Sequence, residues 1–493
     1  MYYISTRDAA LRCTASQAIV QGLSRDGGLF LPERIPTLAQ GALEKMKTMP
    51  YAERAVQVMK LYLEEFTEDE LRIYADRAYG ADKFDTPAVA PLKRLDGGTD
   101  VLELWHGPTC AFKDMALQML PYLLTASLKK TGEEKTACIL VATSGDTGKA
   151  ALEGFRDVDR TKILVFYPKD GVSDIQKLQM VTQEGENTGV CAVIGNFDDA
   201  QTGVKRIFSD PVLRERLAAD GKLLSSANSI NWGRVLPQIV YYISAYCDLL
   251  ASGAIRMGEK IDFCVPTGNF GNILAAYYAK RMGLPVGKLI CASNSNDVLT
   301  EFIRTGVYDR NRPFHATMSP SMDILISSNL ERLLYLLSGS DEAVRGYMRQ
   351  LSETGRYAVT PELHAKIQES FACGCCDEAS TAETIGRVFK ERSYLIDTHT
   401  AVAWNVLEQF RRESGSRSMS VVVSTASAFK FCASVLTALG VEKQAEGTQI
   451  LRQLSETAGC PVPKPLAALD GKKIRFTKAV QKTEMADAVM ELL

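Results

Sequence analysis

Short, almost wholly apolar runs recur through the middle of the chain at 137–142, 163–167, 190–194, 261–265 and 419–423. Each has the length of a buried strand, and the stretches between them carry helical spacing. This alternation predicts the α/β class. The N-terminal part reads differently. Val56, Met59, Leu63 and Phe66 recur three and four apart, which predicts one amphipathic helix over 51–66. Thr67 and Glu70 have capping-box spacing and predict a second helix. Asp26-Gly27-Gly28 predicts a tight turn into a short strand ending at Pro32, and 89–92 and 101–104 are further strand candidates. The stretch 341–390 reads as helices with polar faces. The organisation expected from this texture is an N-terminal domain over 1–92, a small inserted α/β domain over 135–199, and a large α/β domain built from 93–134 with 200–493.

Candidate chemistry sits where strands give way to loops, the usual ligand edge of an open α/β sheet. After 101–104, the turn His106-Gly107-Pro108 leads to Lys113 at the mouth of a segment with apolar Met115, Ala116, Met119 and Leu120. After 137–142 comes Thr143-Ser144-Gly145-Asp146-Thr147-Gly148, with hydroxyls at Ser144 and Thr147. It has neither the GxxxxGK[ST] nor the GxGxxG spacing of nucleotide loops. After 261–265, Gly268 and Gly271 allow successive backbone N–H groups to converge on an anion at a helix terminus. Two glycine-bearing strand-to-helix turns and one presented lysine together describe a cofactor with both a carbonyl carbon and a phosphate. Pyridoxal 5'-phosphate has both, its carbonyl forming a Schiff base with the amine.

Three further stretches add to this. Ser173 and Gln176 have capping-box spacing, and the helix terminus they open can take an anion. The polar run 225–234 is either an exposed loop or a buried interface whose amides and hydroxyls need partners. Thr425, at the end of 419–423, either meets the pyridine nitrogen or is a plain strand-end hydroxyl.

Composition narrows the function classes. With 493 residues, 46% hydrophobic and 24% charged, the chain can bury a large core and is neither disordered nor fibrous. A net charge of -2 gives no general reason to bind nucleic acid or an acidic membrane, so an anionic ligand must be held locally. The most apolar helical run, 239–250, has the length of a buried helix, not of a membrane span. The start lacks the basic opening and apolar core of a secretory signal, and the 12 cysteines are scattered as reduced thiols would be; both lead to the expectation of a cytoplasmic protein. Cys373-Gly374-Cys375-Cys376 has no second ligand pair, so no metal is expected.

His106-Gly107-Pro108-Thr109 and Ala111-Phe112-Lys113-Asp114, followed by Ala116-Leu117-Gln118, resemble the cofactor-lysine signature of threonine synthases in their long, microbial and fungal-like form. The likeness continues in order at 3–7, 26–29, 143–148, 228–231, 268–272 and 319–324. It implies a fold type II pyridoxal-phosphate architecture, like that of the tryptophan synthase beta chain: two open, twisted, mainly parallel sheets flanked by helices, plus a mostly helical N-terminal domain. The implied reaction converts O-phospho-L-homoserine and water to L-threonine and phosphate, by γ-elimination of phosphate and β-addition of water. Lys113 is then the catalytic, cofactor-bearing residue. Gly268, Asn269, Phe270, Gly271 and Asn272 hold the cofactor phosphate, and Thr425 faces the pyridine nitrogen. Ser144, Asp146 and Thr147 are implied for the substrate carboxylate; Ser173, Asn228 and Arg234 for its phosphate. A monomer or homodimer is expected, with no nucleic-acid or membrane partner. Two positions depart from the family pattern: Ser427 stands where histidine is usual, and Thr398 stands where proline is usual before His399. The rival expectations are a dehydratase or phospholyase of the same fold group that stops at elimination, and a non-catalytic threonine synthase-like binding protein.

Overall fold

The apolar runs pair into two sheets. In the computed structural model, which describes residues 1–492 apart from the side chain of residue 198, the larger sheet has six strands in the order Phe371–Cys375, Val286–Ser293, Ile261–Pro266, Ser420–Ser424, Thr99–Glu103, Leu92–Arg94. All neighbours are parallel except the last pair. The second sheet is wholly parallel, in the order Ala479–Gln481, Thr188–Ile194, Thr161–Pro168, Thr136–Ala142, Lys222–Ser225. Its two edge strands, Lys222–Ser225 and Ala479–Gln481, both come from the chain after the expected 135–199 unit.

Sheets of this kind bury both faces, which is why their strands read as continuous apolar runs. Along Thr136–Ala142 the side chains divide between two cores. Ile139 and Val141 join the main one, while Cys138 and Leu140 pack with Leu164, Phe166 and the helix Phe197–Ser209. Trp232–Ala251 is a buried central helix, which accounts for the apolar run at 239–250. No helix among the described residues is long and apolar enough to cross a membrane.

Several elements differ from the sequence reading. The helix over 51–66 ends at Met59, yet Leu63 and Phe66 remain buried. Turns with Leu63 bonded to Met59 and Phe66 to Leu63 keep the same three-and-four spacing on one side, so periodicity alone overextends the helix. Thr67 and Glu70 then form the expected capping box of Glu68–Tyr79. Val89 lies at φ 60°, so 89–92 is a turn and the strand begins at Leu92. Within 341–390, strands interrupt the helices at Arg356–Ala358 and Phe371–Cys375. The second of these is an edge strand carrying the cysteine cluster, with Cys373 opposite Cys291. Among the described residues no group of three or more His, Cys, Asp or Glu could hold a metal.

The N-terminal unit, which includes a small antiparallel sheet of Tyr3–Ser5, Arg12–Cys13 and Phe30–Pro32, is tied to the rest through Arg332. That fully buried guanidinium donates to the carbonyls of Phe30 at 2.9 Å and Ile230 at 2.6 Å, and to Asn329 Oδ1. Arg332→Met is expected to cost about 3 kcal/mol, because buried acceptors lose a charged donor. Urea unfolding at equilibrium measures it.

Candidate active site

Lys113 is held by its own loop. Asp114 accepts from the Thr109 N–H at 2.8 Å and from Thr109 Oγ1 at 2.7 Å, which closes the turn in front of the lysine. The Phe112 N–H donates to the Thr425 carbonyl at 2.8 Å, and the Ser427 N–H to the Cys110 carbonyl at 3.1 Å. The loop is thereby stitched to the end of the central strand Ser420–Ser424. Lys113 Nζ lies 3.3 Å from Asp146 Oδ2 and 3.2 Å from Ser321 Oγ. Burial lowers the pKa of this amine below the ordinary lysine value; Asp146 opposes the shift and Lys430 adds to it.

Facing it is the turn after Ile261–Pro266. Phe270 takes a left-handed conformation at φ 63°, and the helix Gly271–Arg281 starts there. The N–H groups of Gly268, Asn269 and Phe270 meet no protein acceptor among the described residues. Gly268 is required by contact: a Cβ there would stand 2.6 Å from the Ser321 carbonyl oxygen. The short 3-10 turn Pro320–Met322 is thus packed directly on the glycine turn while Ser321 reaches Lys113.

A cleft of about 1610 Å³ runs between the sheets, lined among others by Lys113, Ser144, Thr147, Asn228, Arg234, Gly268, Asn269, Phe270, Gly271, Asn272 and Thr425. Two of the expected substrate ligands, Asp146 and Ser173, are not among the lining residues. Asp146 turns away from the cleft: Lys430 Nζ sits 2.7 Å from its Oδ1, Gln176 Nε2 donates to that oxygen at 2.8 Å, and Lys113 approaches Oδ2. Burial disfavours its charge, but Lys430 and Lys113 outweigh that and hold the carboxyl far below the usual range. An anion so placed repels a carboxylate, and the Asp146 side chain serves in this structure as the shared partner of two lysines. Ser173 caps the helix Asp174–Val181 as its spacing predicted, and its hydroxyl donates to the Lys430 carbonyl at 2.9 Å. Ser173 is not among the residues that line the cleft.

Asn228 and Arg234 do face the cleft. Ser225, Ser226, Asn231 and Arg234 are buried, which decides for an interface over an exposed loop. Arg234 forms no ion pair among the described residues; its Nη1 donates to the Ala227 carbonyl at 2.5 Å and its Nε has no partner. Burial lowers the pKa of this guanidinium to about 10, with Tyr241 opposing. Asn228 Oδ1 and Asn272 Nδ2 also lack partners.

Residues 2–79 match the family model "Threonine synthase N terminus" and residues 88–368 the model "Pyridoxal-phosphate dependent enzyme". The threonine synthase of Pseudomonas aeruginosa is 40% identical over 417 residues, covering 84% of this chain and 85% of that protein. The chain belongs to the threonine synthase family. Threonine synthase-like 1 of Macaca fascicularis is 41% identical over 439 residues, but these span 87% of this chain and only 58% of that longer protein. The crystal structure of PLP-bound threonine synthase from Brucella melitensis superimposes with a TM-score of 0.87 at 37% identity, covering 100% of this chain and 99% of that one. The architecture is therefore the fold type II pyridoxal-phosphate one, with its helical N-terminal domain.

Within that family frame the two departures leave the backbone intact. Thr398 occupies the first helical position after the cap Asp397, where proline also fits because its N–H is not needed. Ser427 caps the short turn Ala428–Phe431 and does not reach the cleft. Sequence reasoning missed three groups. Lys430 is one, Ser321 another. The third is His399, which lines the cleft and accepts the Ser321 N–H at Nε2, 3.2 Å away, while Nδ1 lies 2.9 Å from Asp397 Oδ1. That pairing fixes the tautomer with the proton on Nδ1.

Proposed function

We propose that the protein is a threonine synthase, using pyridoxal 5'-phosphate to convert O-phospho-L-homoserine and water to L-threonine and phosphate. The observation that carries the reading is the cleft's division of labour. A buried lysine faces donor-only backbone on one side, and an unpaired buried arginine stands nearby. The chain fits the cofactor: Lys113 would hold its aldehyde carbon, Gly268 to Asn272 its phosphate, and the Thr425 hydroxyl its ring nitrogen. A hydroxyl suits an uncharged nitrogen there. When bound, the ring supplies an electron sink that makes protons near the substrate amine acidic.

The chain's own groups do the rest. Ser144 and Thr147, at the start of the helix Asp146–Phe155, would take the substrate carboxylate on hydroxyls and free helix N–H groups. Arg234 and Asn228 would take the substrate phosphate as a charged and a neutral partner. Lys113 Nζ would carry the α proton away and return protons along the chain. Ser321 and Asp146 fix the atom that does so. Free cysteines throughout, most of them buried, agree with action in the reducing cytoplasm.

Incubating purified protein with O-phospho-L-homoserine and pyridoxal 5'-phosphate tests this. Threonine and phosphate in equal amounts are expected. 2-Oxobutyrate with phosphate and ammonia would instead assign an enzyme that stops at elimination, and no phosphate release would leave only a binding protein. Gly268→Ala is expected to weaken cofactor affinity by about tenfold or more, since its methyl group displaces the Ser321 backbone. Fluorescence titration of the apoprotein measures it.

A further inference from the structure

Lys430 is 0% exposed and sits where the proposed reaction does not touch it. Among the described residues its ammonium pairs with one carboxylate, Asp146 Oδ1 at 2.7 Å, and it donates to the Thr109 carbonyl at 3.0 Å. The other oxygen of the same carboxylate faces Lys113 Nζ at 3.3 Å. Two lysines therefore share one buried acid, and the nearer belongs to the residue outside the cleft. Ser173, Gln176 and Thr109 complete the arrangement: Ser173 binds the Lys430 carbonyl, Gln176 binds Asp146, and Gln179 donates to the Thr109 carbonyl at 3.2 Å. So much fixed structure around a non-reacting ammonium calls for a purpose.

Asp146 alone would bind the protonated form of Lys113 and keep its proton on, whereas attack on a carbonyl or removal of an α proton needs the free amine. We propose that Lys430 is a positioning residue that occupies Asp146, so that Asp146 orients Lys113 Nζ without trapping its proton. This deepens the reading of Lys113 as the cofactor lysine and rests on it. The charged and titratable groups around the pair are few. Asp146 comes from the helix after the second sheet, Asp114 and Cys110 from the lysine loop, Arg234 from the central helix, and His399 from the helix behind Ser321. Of these only Asp146 bonds both lysines. Arg234 acts in the same sense as Lys430 and is present in every variant below.

The test uses the apoprotein and pyridoxal 5'-phosphate. The Lys113 nitrogen attacks the aldehyde carbon and the aldehyde oxygen leaves as water; borohydride hydride then reduces the C=N bond to a stable C–N bond, and peptide mass locates the label. Initial labelling rate against pH gives the protonation midpoint of Lys113 without any turnover. Lys430→Met is expected to raise that midpoint by about one pH unit, slowing labelling about tenfold at neutral pH, and Lys430→Arg to keep it near wild type. The double variant Asp146→Asn/Lys430→Met, which removes both charges, should return the midpoint toward wild type. If Lys430→Met does not fold, the double variant against Asp146→Asn alone decides the matter, and its midpoint should be the higher. An unchanged midpoint in Lys430→Met against wild type, or in the double variant against Asp146→Asn where Lys430→Met does not fold, overturns the role of Lys430 only, provided wild-type Lys113 is labelled normally. Absence of label on wild-type Lys113 overturns the cofactor reading and this inference with it.

Discussion

Lys113→Ala is expected to remove threonine formation to below about one part in ten thousand of wild type, since one amine both anchors the cofactor and moves the protons. The protein should nevertheless fold. Asp146 keeps Lys430 at 2.7 Å and Gln176 at 2.8 Å when Lys113 is gone, so no buried charge is left alone. The stability change should stay within about 1 kcal/mol, the range of a lost pair whose acid retains partners. Lys113→Arg sharpens the prediction. It preserves the positive charge beside Asp146, yet a guanidinium does not deprotonate near neutral pH and should be as inactive as alanine. Threonine release and urea unfolding, measured on both variants, separate chemistry from folding. Appreciable turnover in Lys113→Arg would place the reacting amine elsewhere.

How far the sequence discloses such a site depends on whether the information is local. The lysine loop and the turn at 268–272 are local: a glycine where backbone must approach backbone, a lysine after a Gly-Pro turn, each following an apolar run. Gly268 shows the limit even there. Its spacing pointed to a phosphate nest, and the structure adds that Ser321, from a distant segment, leaves no room for a Cβ. The orientation of the Asp146 and Ser173 side chains was hidden in the sequence for the same reason. Both lie in the expected loops, but their side chains are turned by Lys430, whose approach depends on how the end of Ser420–Ser424 packs against the lysine loop. Sequence order says which residues share a turn, not which way a carboxylate faces. The edge strand Phe371–Cys375 was illegible because a short run that contains a glycine, Gly374, and no β-branched residue carries little strand signal. Its pairing with Val286–Ser293 supplies what propensity does not.

The second large effect is expected at Arg234, where stability and activity should move apart. A buried guanidinium with no carboxylate costs desolvation in the free protein, and the shift of its pKa down to about 10 reflects that burial. Its hydrogen bonding is incomplete, with Nε unpaired and Nη1 on the Ala227 carbonyl. Arg234→Met should therefore leave the unfolding free energy unchanged or raise it by about 1 kcal/mol. If the substrate phosphate is what the guanidinium awaits, kcat/KM for O-phospho-L-homoserine should fall about a hundredfold to a thousandfold, the loss of a charged bond to an anion in a site shielded from water. Arg234→Lys restores charge but not the two-pronged geometry and should recover only part. Cofactor labelling of Lys113 should survive in both, because the cofactor phosphate has its own nest. A variant with lowered stability and undiminished kcat/KM would make Arg234 a structural clamp for the 225–231 loop, and the substrate phosphate would then have to find its positive partner elsewhere in the cleft.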